Sequence, residues 1–376
     1  MRRVGRSAAG LLLLASSGAG QIVVNPGRMR NRIEIFNPKP GETALRCEVT
    51  PIHPALNFSF RYQAGYRVTM PANQFTGAGH RLMVLVRITP KEGAGPVYLA
   101  AMQRLPEIPN TSVQLRFGGG YLLGEGAYQV DWVVLDERDR VFRKSWHVEV
   151  RRSHAERNVK VAMDPGTVLD VSLRGARLVP KESDSATLRL TILLNAAPIS
   201  TRRTHLGPND IGTLLSAVSS LLERVPLRQV RLVAFNLEQQ KELYRNDNFM
   251  LAAMPAVARA MNTVELETVD YQVLKNRSGH VDLLANLINQ EINGNPAADI
   301  VLFLGPVSRY EDRLPAELLA RNPERVPRFL NIEILPFLLA PSTVPDVIHN
   351  ATARLGGKSL LIHTPGEFAS ALERLK

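Results

Sequence analysis

Hydrophobic and polar residues alternate with a period of two from about residue 33 to residue 150. Such alternation over four to eight residues is typical of strands that bury one face. Glycine-rich stretches at residues 76–79, 92–95 and 118–120 separate the segments and are predicted to be turns. Short strands at this spacing, without amphipathic helices among them, predict an antiparallel β-sandwich. The predicted strands are residues 31–36, 58–62, 82–88, 97–101, 112–117, 128–134 and 145–150.

After residue 186 the pattern changes to apolar runs that alternate with segments of helical spacing. Near-continuous apolar runs such as residues 299–304 are typical of parallel strands with helices on both faces. The pattern therefore predicts a doubly wound, mostly parallel α/β domain over residues 186–376. We expect strands at residues 186–195, 230–237, 264–274, 299–304, 329–335 and 359–363, and helices at 211–225, within 249–261, at 280–292, at 346–355 and after Thr364.

Two of these helices carry recognisable end signals. Asn209 or Asp210 can cap the first helix, and Pro226 stops it. The last helix opens with Thr364-Pro-Gly-Glu367, which is a capping box with proline at its first position.

The first 20 residues have the composition of a signal peptide. Arg2, Arg3 and Arg6 precede a short apolar run and then small residues at 17–20. The run is too short to span a bilayer. We expect these residues to lie outside any fold and the mature chain to be secreted or periplasmic, without a transmembrane segment; a retained N-terminal anchor is the alternative. The sandwich is then assigned to residues 21–175 and a linker to 176–185, although an alternating stretch at 167–173 could be a last sandwich strand.

Charge and cysteine content narrow the function classes. The formal charge is +11, and loss of the three leader arginines leaves 43 basic against 35 acidic residues, a net charge of +8. The excess is spread out and is not interleaved with aromatic residues, which argues against a nucleic-acid partner. It is either a solvated basic surface or one weakly attracted to anionic lipid or polysaccharide. Cys47 is the only cysteine, so no intrachain disulfide can form. Its alternating segment favours a small buried thiol over a reactive one.

No cofactor motif is complete. Gly357-Lys-Ser359 matches the end of a phosphate-binding loop, but the upstream glycine is missing and a strand follows. The glycines at 118–120 and 124–126 lie between β segments, outside a dinucleotide-binding context. The histidines show no zinc-binding spacing. Trp132 and Trp146 fit the sandwich core better than a sugar-stacking platform.

The order of elements after residue 186 resembles that of a known family. An apolar strand ends at Asn195, and a polar loop and an amphipathic helix follow it. Val230-Arg-Leu-Val-Ala-Phe-Asn236 then stands where a second strand is expected, and residues 355–372 provide a closing strand and helix. In this order and spacing, residues 186–376 resemble a von Willebrand factor type A domain of the divergent kind found in exported bacterial proteins. The resemblance implies loops at the strand ends that contact a ligand.

The family's metal-ion-dependent adhesion site uses Asp-x-Ser-x-Ser after the first strand, a threonine from a second loop and an aspartate after the fourth strand. Here Asn195, Ala197 and Ile199 stand at the first-loop positions, residues 276–280 provide no certain threonine equivalent, and residues 304–308 lack the aspartate. Because Mg²⁺ needs hard oxygen ligands, above all carboxylates, we expect no metal and no cofactor.

The sequence thus predicts a non-catalytic exported binding protein that presents its strand-end loops to a protein or cell-envelope ligand. The candidate contact residues are Asn195, Ser200, Thr201, Arg202, Arg203, Gly305 and Ser308. One alternative is a serine-type hydrolase that uses Ser200 and His205, with Asp210 nearby, although the tight turn that presents a nucleophile is missing. Another is an envelope scaffold without a discrete site.

Overall fold

Separate sets of β-strands organise the two units of the chain, Met1–Ala176 and Arg177–Lys376. Mostly antiparallel sheets build the first unit, and a mostly parallel sheet with helices builds the second. The computed structural model describes residues 11–13, 22–24, 30–93, 95–109, 111–171, 188–200, 203–266, 273, 275–294, 296–320, 326–335 and 344–375. Within these residues no helix is both long and apolar enough to cross a membrane.

The first unit contains two five-stranded sheets. One has the order β1-β7-β4-β3, with β10 also paired to β7, and the other has the order β2-β6-β5-β8-β9. Their strands are β1 (Leu11–Leu13), β2 (Ile22–Val24), β3 (Glu48–Leu56), β4 (Tyr62–Pro71), β5 (Arg81–Pro90), β6 (Val97–Arg104), β7 (Gln114–Leu123), β8 (Gly126–Asp136), β9 (Val141–Val150) and β10 (Val168–Asp170). Short 3-10 helices lie at Arg30–Phe36, Ala72–Phe75 and His154–Glu156.

The two sheets pack face to face through aromatic side chains. Tyr66 of β4 and Trp132 of β8 meet edge to face with ring centroids 5.4 Å apart. Both are fully buried, which places Trp132 in the core as expected. Trp146 is only half-buried. The antiparallel sandwich predicted from the alternation is therefore confirmed as packed antiparallel sheets.

Two of the predicted strands are wrong. Residues 31–36 form part of the 3-10 helix, because that geometry brings Ile33 and Phe36, three positions apart, against Leu85, Tyr98 and Val133. Residues 58–61 form a turn instead of a strand. The Asn57 Oδ1 accepts hydrogen bonds from the backbone N of Ser59 and of Arg61, at 3.0 and 3.1 Å. These local bonds take the place of hydrogen bonds to a neighbouring strand.

The predicted turn at Gly118–Gly120 is also wrong, since these residues lie inside β7. A Cβ on Gly118 would lie 2.7 Å from the Tyr66 carbonyl oxygen, so glycine allows β7 to approach β4 closely. Leu11–Leu13, expected outside any fold, form β1, which pairs in parallel with Gln114–Arg116. The backbone of this apolar run pairs with an edge of β7 that would otherwise be open. Removal of the first 20 residues on export stays a prediction.

The second unit contains one six-stranded sheet of order β13-β12-β11-β14-β15-β16. The pairing of β12 with β13 is antiparallel, and the other four pairings are parallel. Its strands are β11 (Leu188–Asn195), β12 (Leu227–Asn236), β13 (Lys241–Asn246), β14 (Ile300–Gly305), β15 (Arg328–Ile334) and β16 (Lys358–Ile362). Its helices are α1 (Pro208–Arg224), α2 (Met254–Met261), α3 (Gly279–Ile292), α4 (Val347–Arg354) and α5 (Pro365–Glu373).

Both faces of this sheet are buried. Leu193, Val233 and Phe303 lie in one core cluster with apolar residues of α3 and α4. Ile192 and Leu302, which point to the opposite face, are fully buried as well. Burial on both faces explains why these strands are apolar runs rather than alternating segments, as the doubly wound prediction requires.

Three details of this unit differ from the prediction. Residues 264–266 form no strand, only an isolated bridge from Glu265 to His205, and residues 267–272 and 274 lie outside the described residues. The edge strand β13 is not foreseen. Gly207, rather than Asn209 or Asp210, is the N-cap of α1. Asp210 instead lies in the first turn, where its Oδ2 accepts a hydrogen bond from the Gly207 N at 2.9 Å.

Candidate ligand-binding cleft

The chain reverses its course across the sheet at β11. From β11 it passes to β12 and β13 on one side, and it later returns to β14 on the other side. The loops that follow β11 and β14 therefore diverge at the carboxyl edge of the sheet. In open α/β sheets such a divergence creates the crevice in which ligands bind.

A shallow, solvent-open cleft lies at this edge. Its lining comes from residues at or just after the ends of three strands. They are Asn195 at the end of β11, Ala197 and Pro198 after it, Glu238 after β12, and Ser308 and Arg309 after β14. The fold thus brings into one place residues that are more than 100 positions apart in the sequence.

Two asparagine side chains connect the strand ends below the cleft through hydrogen bonds to backbone carbonyl oxygens. The Asn195 Nδ2 donates to the Pro306 carbonyl oxygen at 3.0 Å, and the Asn236 Nδ2 donates to the Ala196 carbonyl oxygen at 2.7 Å. Among the described residues, no donor reaches the buried Asn195 Oδ1. An acceptor left in this state is unfavourable by about 1–3 kcal/mol and is satisfied when a donor from a ligand or a water reaches it.

Arg309 connects three loops across the cleft. Its Nη1 lies 3.1 Å from the Glu238 Oε2, and its Nη2 donates to the Arg203 carbonyl oxygen at 2.5 Å. Burial raises the pKa of Glu238, and the positive charge of Arg309 acts against this shift. The loops after β11, β12 and β14 are therefore held together by one guanidinium that is itself one-third exposed.

Ser308 is fixed by the start of α4. Its backbone N donates to the Asp346 Oδ2 at 2.5 Å, and its Oγ accepts from the Tyr310 N at 3.2 Å. Asp346 also caps α4 through the His349 N at 2.7 Å. Burial raises the pKa of Asp346, and burial together with the Asp346 charge raises the pKa of Glu333. Two acidic residues, Glu333 at the end of β15 and Asp346 before α4, thus lie close together beside the cleft.

The structure brings together four of the predicted contact residues. Asn195 and Ser308 line the cleft, Gly305 packs against Asn195, and Arg203 contributes its carbonyl oxygen. Ser200 is half-buried beside them, and its carbonyl oxygen accepts from the Arg203 N at 3.0 Å. Two further candidates, Thr201 and Arg202, lie outside the described residues.

The sequence interpretation does not single out Glu238 and Arg309. Arg309 does lie in the loop after residues 299–304, which was expected to contact a ligand, directly after the predicted contact residue Ser308. Glu238 lies two residues after the end of β12, and this position at the carboxyl edge is the signal that could have revealed it.

The residues of this edge do not fit the metal site of the family that the chain resembles. Ala197 and Ile199 offer no side-chain ligand, and the Glu238 carboxylate is paired with Arg309. Asp312, in the loop after β14, contacts the His280 Nε2 at 2.8 Å. Across the described part of the chain, no group of three or more His, Cys, Asp and Glu residues is arranged to hold a metal ion. The positive charge that Glu238 meets comes from a side chain instead.

The residues of the hydrolase alternative do not meet as a catalytic set. Asp210 is engaged by the Gly207 N and, at 3.4 Å, by the Arg203 Nη1. His205 lies in the isolated bridge to Glu265. Among the described contacts, no hydrogen bond joins Ser200 to His205, although a nucleophile and its base need to lie within hydrogen-bond reach.

No protein-family model and no curated protein matches the chain. Among solved structures, the putative ApaA protein from Bordetella pertussis is 15% identical, with a TM-score of 0.21 over 30% of this chain and 100% of that one. A lipoprotein from Bacteroides thetaiotaomicron is 6% identical, with a TM-score of 0.16 over 33% of this chain and 94% of that one. The β-glucuronidase 2 of Bacteroides uniformis is 10% identical, with a TM-score of 0.20 over 69% of this chain and 33% of that one. Likenesses at these scores carry no argument about this chain.

Proposed function

We propose that this protein is an exported, non-catalytic binding protein whose second unit is a von Willebrand factor type A-like domain that binds its ligand without a metal ion. The observation that carries the proposal is the cleft at the carboxyl edge, where Arg309 joins the loops after β11, β12 and β14. The ligand belongs to the cell envelope or to a protein that reaches it.

The arrangement of the sheet supports the family part of the proposal. The strand order places β11 next to both β12 and β14, so the first loop of the domain faces the loop after the fourth strand of the domain. These are the loops from which the family's binding site draws residues. The antiparallel edge strand β13 is compatible with a doubly wound sheet.

The side chains at the cleft support binding over catalysis. The Ser308 Oγ already accepts a backbone hydrogen bond and has no histidine partner among the described contacts. Arg309 and Asn195, in contrast, offer a charge and an unsatisfied acceptor to an incoming group. Recognition of a ligand needs a few fixed polar groups of this kind.

A capture experiment on the full chain tests the proposal. Immobilised wild-type protein and an Arg309→Gln variant are exposed to an envelope fraction of the source cells, once with Mg²⁺ and once with EDTA. We expect Arg309→Gln to lose the component that the wild type retains, and EDTA to leave retention unchanged.

Arg245→Gln is the matched control, because Arg245 also pairs with a glutamate, Glu242, and donates to a third residue, Gln290, away from the cleft. Retention that requires Mg²⁺ would contradict metal-independent binding. Equal retention by both variants and the wild type would place the binding surface elsewhere.

A further inference from the structure

Arg309 is held by oxygen acceptors from two different loops. One is the carboxylate of Glu238 after β12, and the other is the carbonyl oxygen of Arg203 before α1. A guanidinium has five N–H donors in a planar fork that matches the two oxygens of a carboxylate. In the described part of the chain, Arg309 engages the carboxylate of Glu238 through a single nitrogen, Nη1. Its fork is therefore not fully matched by Glu238.

The charged form of Glu238 is destabilised at this position. Burial raises its pKa, so the ionised carboxylate is less favourable here than in water even with Arg309 beside it. The side chain is 18% exposed and lines the cleft. Exchange of Glu238 for a carboxylate that meets the guanidinium with both oxygens would keep the charge of Arg309 neutralised and improve the hydrogen-bond geometry.

The Arg309–Glu238 pair lies where the fold is expected to bind a ligand. A divalent ion does not fit the ligands at the carboxyl edge, yet the cleft contains a fixed positive charge at the crevice between the diverging loops. We infer that the Arg309 guanidinium is the cationic anchor of the cleft and binds a carboxylate of the ligand, which displaces Glu238. This inference rests on the proposed function and names the chemistry of the ligand.

Two further residues, Tyr310 and Arg203, lie beside the Arg309–Glu238 pair. Glu238 and Tyr310 interact electrostatically, and burial raises the pKa of Tyr310. Arg203 lies on the other side of the guanidinium, with half of its side chain exposed and with a contact to Asp210. An entering carboxylate thus competes with the partly buried carboxylate of Glu238 for the Arg309 guanidinium.

The test is fluorescence anisotropy with the full chain and a labelled hexapeptide of alternating glutamate and glycine, in EDTA and low salt. A peptide with glutamine in place of glutamate controls for the carboxylate, and inorganic phosphate added as a competitor separates carboxylate binding from general anion binding. We expect Arg309→Gln to weaken peptide binding by about tenfold or more, the effect of losing a charge-assisted hydrogen bond.

Glu238→Gln provides the opposite test, because it removes the internal competitor and leaves Arg309 in place. We expect it to tighten binding of the glutamate peptide by about threefold to tenfold and to leave the glutamine peptide unbound. Arg245→Gln should bind as the wild type does. Thermal unfolding of each variant verifies that it is folded.

The inference is overturned if the wild type does not prefer the glutamate peptide, if Glu238→Gln binds no more tightly, or if phosphate competes as well as the peptide does. Such a result leaves the proposed function standing, provided that envelope capture still depends on Arg309. If capture does not depend on Arg309 but peptide binding does, the proposed function fails while the anion site remains.

Discussion

Gly305 and Asn195 approach so closely that a Cβ on Gly305 would lie 2.7 Å from the Asn195 carbonyl oxygen. Gly305 also has a φ of 156°, which residues with a side chain rarely adopt. The two strand ends that form the floor of the cleft can therefore lie side by side only because residue 305 has no side chain. This contact sets the separation of the loops after β11 and β14.

Gly305→Ala is expected to lower the free energy of unfolding by about 2 kcal/mol, because the backbone must shift to remove the clash. Urea unfolding followed by circular dichroism measures the change. Gly212→Ala is the control, since a Cβ on Gly212 meets nothing within 4 Å and the residue lies inside α1. There we expect a gain of about 0.5–1 kcal/mol. Equal effects of the two substitutions would show that the contact imposes no strain.

A buried ion pair between β12 and α3, away from the cleft, gives a second prediction. Glu291 of α3 is 1% exposed and accepts from the Arg231 Nη1 at 3.0 Å and from the Thr191 Oγ1 at 2.7 Å. Arg231→Met leaves this carboxylate without its counter-charge and should lower the free energy of unfolding by about 3 kcal/mol.

The double variant Arg231→Met, Glu291→Met should recover most of that loss. It removes both charges together, and the remaining deficit of about 1 kcal/mol reflects the unsatisfied Thr191 hydroxyl. Denaturant unfolding of the four proteins in the cycle gives the coupling. If the double variant is as unstable as the sum of the two single variants, Arg231 and Glu291 do not act as a pair.

Glu333 gives a prediction about pH. Burial and the neighbouring Asp346 raise its pKa in the folded protein above the ordinary value of 4.5. The folded state then binds the proton more tightly than the unfolded state, so ionised Glu333 lowers stability at neutral pH, and stability is regained as the pH falls through the raised pKa. Glu333→Gln should therefore raise the free energy of unfolding at pH 7.

The difference between Glu333→Gln and the wild type should disappear below pH 4.5, where the wild-type carboxyl is also neutral. Unfolding curves at pH 7 and at acidic pH measure it. Glu317→Gln, at an exposed position, controls for a general charge effect. A Glu333→Gln variant that is less stable at pH 7 would mean that the contact to the His349 Nδ1, at 3.0 Å, outweighs burial.

The sequence reveals elements whose period follows from the burial of one or two faces. The apolar runs of β11, β12, β14 and β15 and the amphipathic α1 are predicted within a few residues, because the same burial that shapes the sequence also stabilises the structure. Residues 31–36 defeat this reasoning, since apolar residues at positions 33, 35 and 36 fit both a strand and a 3-10 turn. Only contacts with Leu85, Tyr98 and Val133 decide between them.

The cleft shows the same limit. The loop after β14 can be assigned to the carboxyl edge from the order of elements, and Asn195 and Ser308 are predicted as contact residues on that basis. The Arg309–Glu238 pair cannot be found in this way, because its members are 71 residues apart and meet only through the order of the sheet. Likewise, the glycines of β7 resemble a turn in the sequence, and only the close approach of the β4 backbone explains Gly118 and Gly120.

Cys47 gives the last prediction. The thiol is half-buried, and burial raises its pKa to about 12, with the charge of Glu48 contributing. Because the thiolate is the nucleophile, the folded protein should react with iodoacetamide at pH 8 at least about 100-fold more slowly than a free thiol. Mass spectrometry gives a clear measurement, since the chain contains one cysteine. The same protein in 6 M guanidinium chloride is the control and should be labelled completely within minutes. Rapid labelling of the folded chain would show instead that Cys47 is a reactive thiol, the alternative that the alternating sequence left open.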